Sequence, residues 1–278
     1  MERMRIVSLL PGATETLWAL GLGGQVVAVS HECDHPPEAL RLPRVTRSNL
    51  ELAGLDGGAI EVAVQDALAA GRQLYAIDAD GIRELQPDLV VTQDVCEVCA
   101  VPTSQVEREL AGVPVLRLHP HSLEDVLQGM AELGRACGVD PVPMVAELRR
   151  RIAKAAAAAP RPPVRGVFLE WLDPPYPAGH WTADLLRLAG VDDPLARPGR
   201  PSAPMGWDEV VAARPEVLIV APCGFGEEQA RSEVERLRGE IARTGARRLL
   251  VFDGSVHFNR PGPRLVDSLE ALVAGLTE

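Results

Sequence analysis

Apolar residues along this chain gather in short runs separated by stretches of helical spacing. In the first half, "RIVSLL" (5–10), "QVVAVS" (25–30), "DLVVTQ" (88–93) and "VPVLRL" (113–118) read as strands. They lack strict polar alternation, which suits parallel strands covered on both faces. Helical segments fall between them at 14–20, 37–41, 59–70 and 103–111, the last started by Pro102. Residues 122–159 then read as helix almost throughout. The Ser122 hydroxyl is placed to cap the first of these helices, Gly138 ends it, and an Ala-rich segment follows until "PRPP" stops it. After residue 160 the alternation resumes, with strands at 165–171, 216–222 and 248–254 and helices at 181–189, 207–213, 227–242 and 262–276. The pattern predicts an α/β fold: two Rossmann-like lobes with mostly parallel central sheets, at 1–121 and 161–278, joined by a helical spine over 122–160.

Charge changes the picture by exclusion. With 28 Lys and Arg against 39 Asp and Glu, the net charge is −11. Such a surface repels a phosphate backbone and no basic stripe offsets it, so nucleic acid is not an expected partner. No apolar run approaches the roughly 18 residues of a membrane span, so membrane insertion is not expected. Pro11 and Glu15 interrupt the first apolar stretch, which lacks a basic region and a cleavage site. A cytoplasmic location is therefore expected; a start further upstream would make it periplasmic or extracellular. Five cysteines, an odd number, point to free thiols and not to a disulfide framework.

Candidate chemistry sits where ligands of parallel α/β sheets collect, just beyond the strands. After the second strand come His31, Cys33, Asp34 and His35. After "DLVVTQ" come Asp94, Cys96 and Cys99. The later strands are followed by Glu170, Trp171, Tyr176, His180 and Trp181, by Cys223 and Phe225, and by His257, Phe258 and Arg260. His31, Cys33, Cys96 and Cys99 supply a Cys₃His set of the kind tetrahedral zinc takes, and Cys223 could complete a thiolate set for an iron–sulfur cluster. The CxxC at 96–99 is a weak redox candidate, because Pro102 places the helix start after Cys99. Cys137 and Trp18 read as core residues, and His119 and His121, flanking Pro120, as surface or capping residues. Glu170 is a candidate general base with no paired carboxylate or nucleophile beside it in sequence. Aromatic side chains in several strand-end loops favour a large, flat, partly apolar ligand.

The segment "RIVSLLPGATETLWALGLGGQVVAVSHECDHPPEA" resembles the opening of class III, helical-backbone periplasmic binding proteins, in particular the cobalamin-binding component of ABC importers. The likeness continues through "LQPDLVVTQ", "FLEWLDPPYPAGHWTADLLRLAGV", "WDEVVAARPEVLIVAP" and "SVHFNRPGPRLVDSLEAL". It implies a ligand cleft between the lobes and a rigid helical bridge closing only slightly on a corrinoid, a haem or an iron–siderophore. Carried onto this chain, the resemblance places Asp34 and His35, Asp94 in the loop after Gln93, Trp171 with Tyr176, and His257, Phe258 and Arg260 along the cleft; Glu170, Trp181 and Phe225 join them as ligand-binding candidates from their strand-end positions. Asp80 and Asp208 occupy the places where such proteins present acids to an ABC permease. The motifs "HEC", "CEVCAV" and "PCGF", and the insertion around 46–76, depart from the importer pattern and resemble a cytosolic branch of the family. The function expected is non-catalytic binding of a tetrapyrrole-type metal chelate, foremost cobalamin, with Cys33, Cys96, Cys99, His31 and His257 as axial or polar contacts. The residues leave one alternative open: a cytosolic metalloprotein or redox enzyme holding zinc or an iron–sulfur cluster.

Overall fold

The apolar runs form strands of two mostly parallel sheets. The computed structural model describes residues 3–94 and 101–278. Its first half holds β1 (Ile6–Ser8), α1 (Pro11–Ala19), β2 (Val26–Val29), β3 (Thr46–Ser48), α2 (Gly57–Ala69), β4 (Tyr75–Ile77), α3 (Ala79–Glu84), β5 (Leu89–Gln93), α4 (Thr103–Glu109) and β6 (Val115–Leu118). Then come α5 (Leu123–Ala136) and α6 (Val142–Ala158). The second half holds β7 (Val164–Leu172), β8 (Pro175–Pro177), α7 (His180–Leu188), β9 (Val191–Asp192), β10 (Arg197–Pro198), α8 (Trp207–Ala213), β11 (Val217–Val220), α9 (Glu227–Arg236), α10 (Arg238–Arg243), β12 (Arg248–Val251) and α11 (Leu265–Thr277). Internal contacts divide the chain into two compact units. The first comprises Met1–Ala53, Val62–Pro120 and Asp125–Ala146; the second comprises Gly54–Glu61, His121–Glu124 and Glu147–Glu278.

In the first unit the sheet order is β2-β1-β5-β6, with every pairing parallel. Successive residues of a strand point to opposite faces, and both faces are covered. Ile6 and Val91 join Leu17 and Leu133 in one core, while Val7 and Val90 join Ile82 and Val106 in the other. Each such aliphatic side chain contributes about 1.5–3 kcal/mol on full burial. Trp18 and Cys137 pack against the first of these cores, in keeping with their sequence reading. α5 ends as expected: Gly138 takes a left-handed φ of 71°, and Val139 N–H donates to the Gly134 carbonyl at 2.9 Å.

In the second unit the order is β12-β11-β7-β8, with β8 antiparallel and β9 added to the start of β7. Val167, Leu169, Leu218 and Val220 pack under Val210, with Trp207 against them, and the alternate residues Phe168 and Ile219 are fully buried. Arg151 of α6 ties down α11 by reaching Asp267 and Glu270, each at 2.6 Å.

Several elements differ from the expectation for physical reasons. β3 and β4 pair antiparallel, yet "TRS" and "YAI" are too short to carry a strand period, so only tertiary pairing reveals them. Residues 37–41 form a 3₁₀ turn and not an α-helix. The helix expected over 227–242 is two helices, because Leu237 leaves helical geometry at φ −101°, ψ 17°. Among the described residues no helix is long and apolar enough to cross a membrane.

Candidate functional site

In the second unit, β7 runs directly into the candidate site. Its register sets Trp171 opposite Tyr176 across the β7–β8 hairpin. The Phe225 ring, from the loop after β11, meets the Trp171 indole edge-on at 4.9 Å and 60°. That loop is fixed by Cys223 N–H on the Glu170 carbonyl (3.0 Å) and by Gly254 N–H on the Phe225 carbonyl (2.8 Å). The buried Trp171 Nε1–H finds no hydrogen-bond partner among the described residues. Tyr176 donates its hydroxyl to Glu61 Oε1 at 2.8 Å, and burial first, then this bond, holds the phenol's pKa above its ordinary value. Glu61 lies in the first two turns of α2, where Gly57 approaches closely: a Cβ there would stand 2.9 Å from Glu233 Oε2 and 3.6 Å from the Trp171 ring. Glu170, the candidate base, accepts Gly179 N–H at 3.1 Å.

The next residue, His180, opens α7 in a left-handed conformation, φ 43°. Its backbone N–H donates to the Arg200 carbonyl at 2.8 Å, and its ring stacks on Trp181 at 5.7 Å and 21°. The His121 ring lies 5.5 Å away, centroid to centroid. Burial, and secondarily the neighbouring His121, lower the His180 pKa, so the ring is neutral at pH 7.

Three residues expected at the ligand surface are buried: Phe225, Phe258 and Trp181. Phe258 is fully buried, edge-on to Phe168 at 5.0 Å and to Phe252 at 5.3 Å, with its backbone in the left-handed region at φ 67°. Trp181 is buried too, its indole N–H donating to the Phe258 carbonyl at 2.6 Å. His257 Nδ1 faces the Ser268 hydroxyl at 3.2 Å, and burial lowers its pKa. Arg260 and Cys223 are partly exposed.

The first unit treats its candidates differently. Cys33 is fully buried in the core, with its sulfur 3.1 Å from Thr14 Oγ1 and 3.3 Å from Ser30 Oγ. A small thiol with two hydroxyl neighbours packs as core, which corrects the reading of Cys33 as an accessible ligand. His31 is committed to Thr46, through Nδ1 at 2.7 Å and its backbone N–H at 3.0 Å, with Tyr75 against its ring. Burial is the first cause that lowers its pKa. Asp34 and His35 are exposed, and Asp94 stands 3.8 Å from His119 Nδ1. Cys96 and Cys99 lie outside the described residues. Among the described residues, no group of three or more His, Cys, Asp or Glu side chains is arranged to hold a metal ion, so the zinc or iron–sulfur alternative gains no support. The two acids expected to face a permease are highly exposed: Asp80 at 91%, paired with Arg83 at 2.8 Å, and Asp208 at 88%, beside Arg243.

Sequence reasoning did not single out Glu61, and the His121 it reads as a surface residue is exposed. Glu61 had no local motif, and its partner is 115 positions away. The approach of His121 to His180 is set by the fold, since nothing local in the sequence links them.

A family model described as periplasmic binding protein matches residues 6–240. The vitamin B12-binding protein of Vibrio cholerae is 26% identical over 283 aligned residues, covering 96% of this chain and 86% of that protein. The vitamin B12-binding protein of Photorhabdus laumondii is 24% identical, covering 99% and 88%. Among solved structures, the periplasmic vitamin B12 binding protein BtuF of Vibrio cholerae aligns with a TM-score of 0.70 at 22% identity, over 98% of this chain and 96% of that one. The apo periplasmic heme-binding protein RhuT from Roseiflexus sp. RS-1 gives 0.69 at 24% identity, over 99% and 98%. These likenesses establish the fold and leave the ligand to the chemistry of the site. Both structural neighbours are described as periplasmic, and nothing in the fold or the relatives supports the cytoplasmic location expected above.

Proposed function

Because this chain belongs to the periplasmic binding protein family, we propose that it binds, without chemical change, a metal-containing tetrapyrrole, foremost a corrinoid such as cobalamin. The observation that carries this reading is the half-buried Trp171–Tyr176 pair, backed by the buried Phe225 ring, with its buried, unpartnered indole N–H. Flat rings give stacking area to a macrocycle. A buried donor without a partner costs about 1–3 kcal/mol, and the amide groups on the rim of a corrin are acceptors that would recover it. The vitamin B12-binding relatives support the same choice. The engaged Glu170 carboxylate favours binding over catalysis, since its Oε2 already accepts a backbone N–H. Asp80 and Asp208 serve, in this reading, as acidic contacts for an ABC permease; both project into solvent.

The test is an absorbance spectrum of anaerobically purified protein before and after one equivalent of aquocobalamin. Shifted corrinoid bands that survive desalting are expected, and Trp171→Ala should weaken retention about tenfold or more. Haem and a ferric siderophore offered in competition would expose a different cargo. Loss of unshifted corrinoid on desalting, with broad visible absorption in the starting protein, would overturn the proposal.

A further inference from the structure

The second unit also brings together two imidazoles that the aromatic group does not use. His121 is exposed, and its segment is anchored by Leu123 N–H on Asp184 Oδ2 at 3.0 Å and by the Arg149–Glu124 pair at 2.6 Å. His180 is clamped on two sides, by the Arg200 carbonyl and by the Trp181 ring, itself locked to the Phe258 carbonyl. His180 Nδ1 is buried and finds no hydrogen-bond partner among the described residues. A non-glycine residue at positive φ, here 43°, is held there only when its surroundings over-determine it, and such positions cluster at functional sites.

The spacing matches shared coordination. A metal–nitrogen bond of about 2.0–2.1 Å puts a metal roughly 3.2 Å from each ring centre, so two imidazoles on a tetrahedral ion have centres about 5.2 Å apart. The observed separation is 5.5 Å, with the planes inclined at 43°. Among the described residues no third His, Cys, Asp or Glu completes a set around them. Two fixed donors would leave the other positions of an ion to water or to the donors of a small chelator.

We propose that His121 and His180 form a binding site for a borderline divalent transition-metal ion of the cobalt(II), nickel(II) or zinc(II) class, held by two protein imidazoles with its remaining positions open. The site is independent of corrinoid binding: a corrin leaves only the two opposite faces of its cobalt free, which two adjacent imidazoles cannot both reach. Neutral imidazole is the ligating form, and burial shifts His180 toward it.

The test uses the tag-free, metal-depleted full chain, titrated anaerobically with cobalt(II) and followed by visible ligand-field absorption. One equivalent should bind, and His121→Ala and His180→Asn should each weaken binding at least about tenfold. Asparagine tolerates the left-handed backbone at position 180, and circular dichroism checks that each variant folds. A Cys96→Ser/Cys99→Ser variant should keep the signal. No binding by the wild type, binding undiminished in both histidine variants, or loss confined to the cysteine variant would each overturn the proposal. Aquocobalamin retention measured on the same proteins separates failure of this site from failure of the corrinoid reading.

Discussion

The loops beyond the strands of the two units carry similar residue types and put them to different use. In the first unit Cys33 is drawn into the core between Thr14 and Ser30, while Asp34 and His35 stand in solvent. In the second, Trp171, Tyr176 and His180 stay half-buried, beside the buried Phe225 and the exposed His121. A strand end only offers a position; the side chain's polar tip and its neighbours decide where it goes. A thiol is small and weakly polar, so two hydroxyls suffice to satisfy it inside. Phenol, indole and imidazole combine an apolar body with a polar tip and settle where one side is covered and the other is not.

The contrast can be broken most directly at Phe258. If it is core, Phe258→Ala should lower the unfolding free energy by about 3–5 kcal/mol, read from urea denaturation. A loss under about 1 kcal/mol would return it to the ligand surface. Next in size is a pH effect confined to the second unit. Asp193 is partly buried and accepts the N–H groups of Phe168 and Leu195, both at 2.9 Å, yet desolvation outweighs these bonds and raises its pKa to about 6. The folded state therefore favours the protonated acid. This contribution is fully present below the unfolded pKa, near pH 4, and is lost as pH rises through 6, an amount of about 3 kcal/mol. Asp193→Asn should flatten that fall in stability between pH 4 and 6.5; an unchanged slope would assign it to other groups.

Smaller effects sharpen the contrast from the other side. Cys33→Ala should cost about 1–2 kcal/mol of stability and leave aquocobalamin retention unchanged. A tenfold loss of retention with unchanged stability would make Cys33 a ligand contact and erase the difference between the units. Asp208→Ala removes an exposed ion pair and should alter stability by less than about 0.5 kcal/mol. Its effect should appear only in uptake measured with a permease, and a clear shift in melting temperature would count against a docking role.

The inner strands were legible because they are apolar on both faces: "RIVSLL" and "EVLIVAP" contain β1 and β11 within wider limits. The Gly138 stop was legible because a left-handed helix end has a residue preference. The β3–β4 pair was not, since six residues of mixed polarity encode nothing until they meet. The site was half legible. The strand-end rule singles out Trp171, Tyr176 and Phe225, which the fold brings together at the end of β7, in β8 and after β11. Phe258 obeys the same rule and lies in the core, packed on Phe168 and Phe252, contacts that no local pattern announces. His121 and Glu61 meet partners 59 and 115 positions away only through the fold.

The tryptophans give the molecule an optical handle on its own halves. Of the four, Trp18 packs in the first unit, whereas Trp171, Trp181 and Trp207 all belong to the second. Native fluorescence is therefore weighted toward one unit, and replacing the single indole of the other by phenylalanine leaves a one-sided emitter. Tetrapyrroles absorb where indole emits, so such an emitter would report the arrival of cargo by quenching, with no dye attached to the chain.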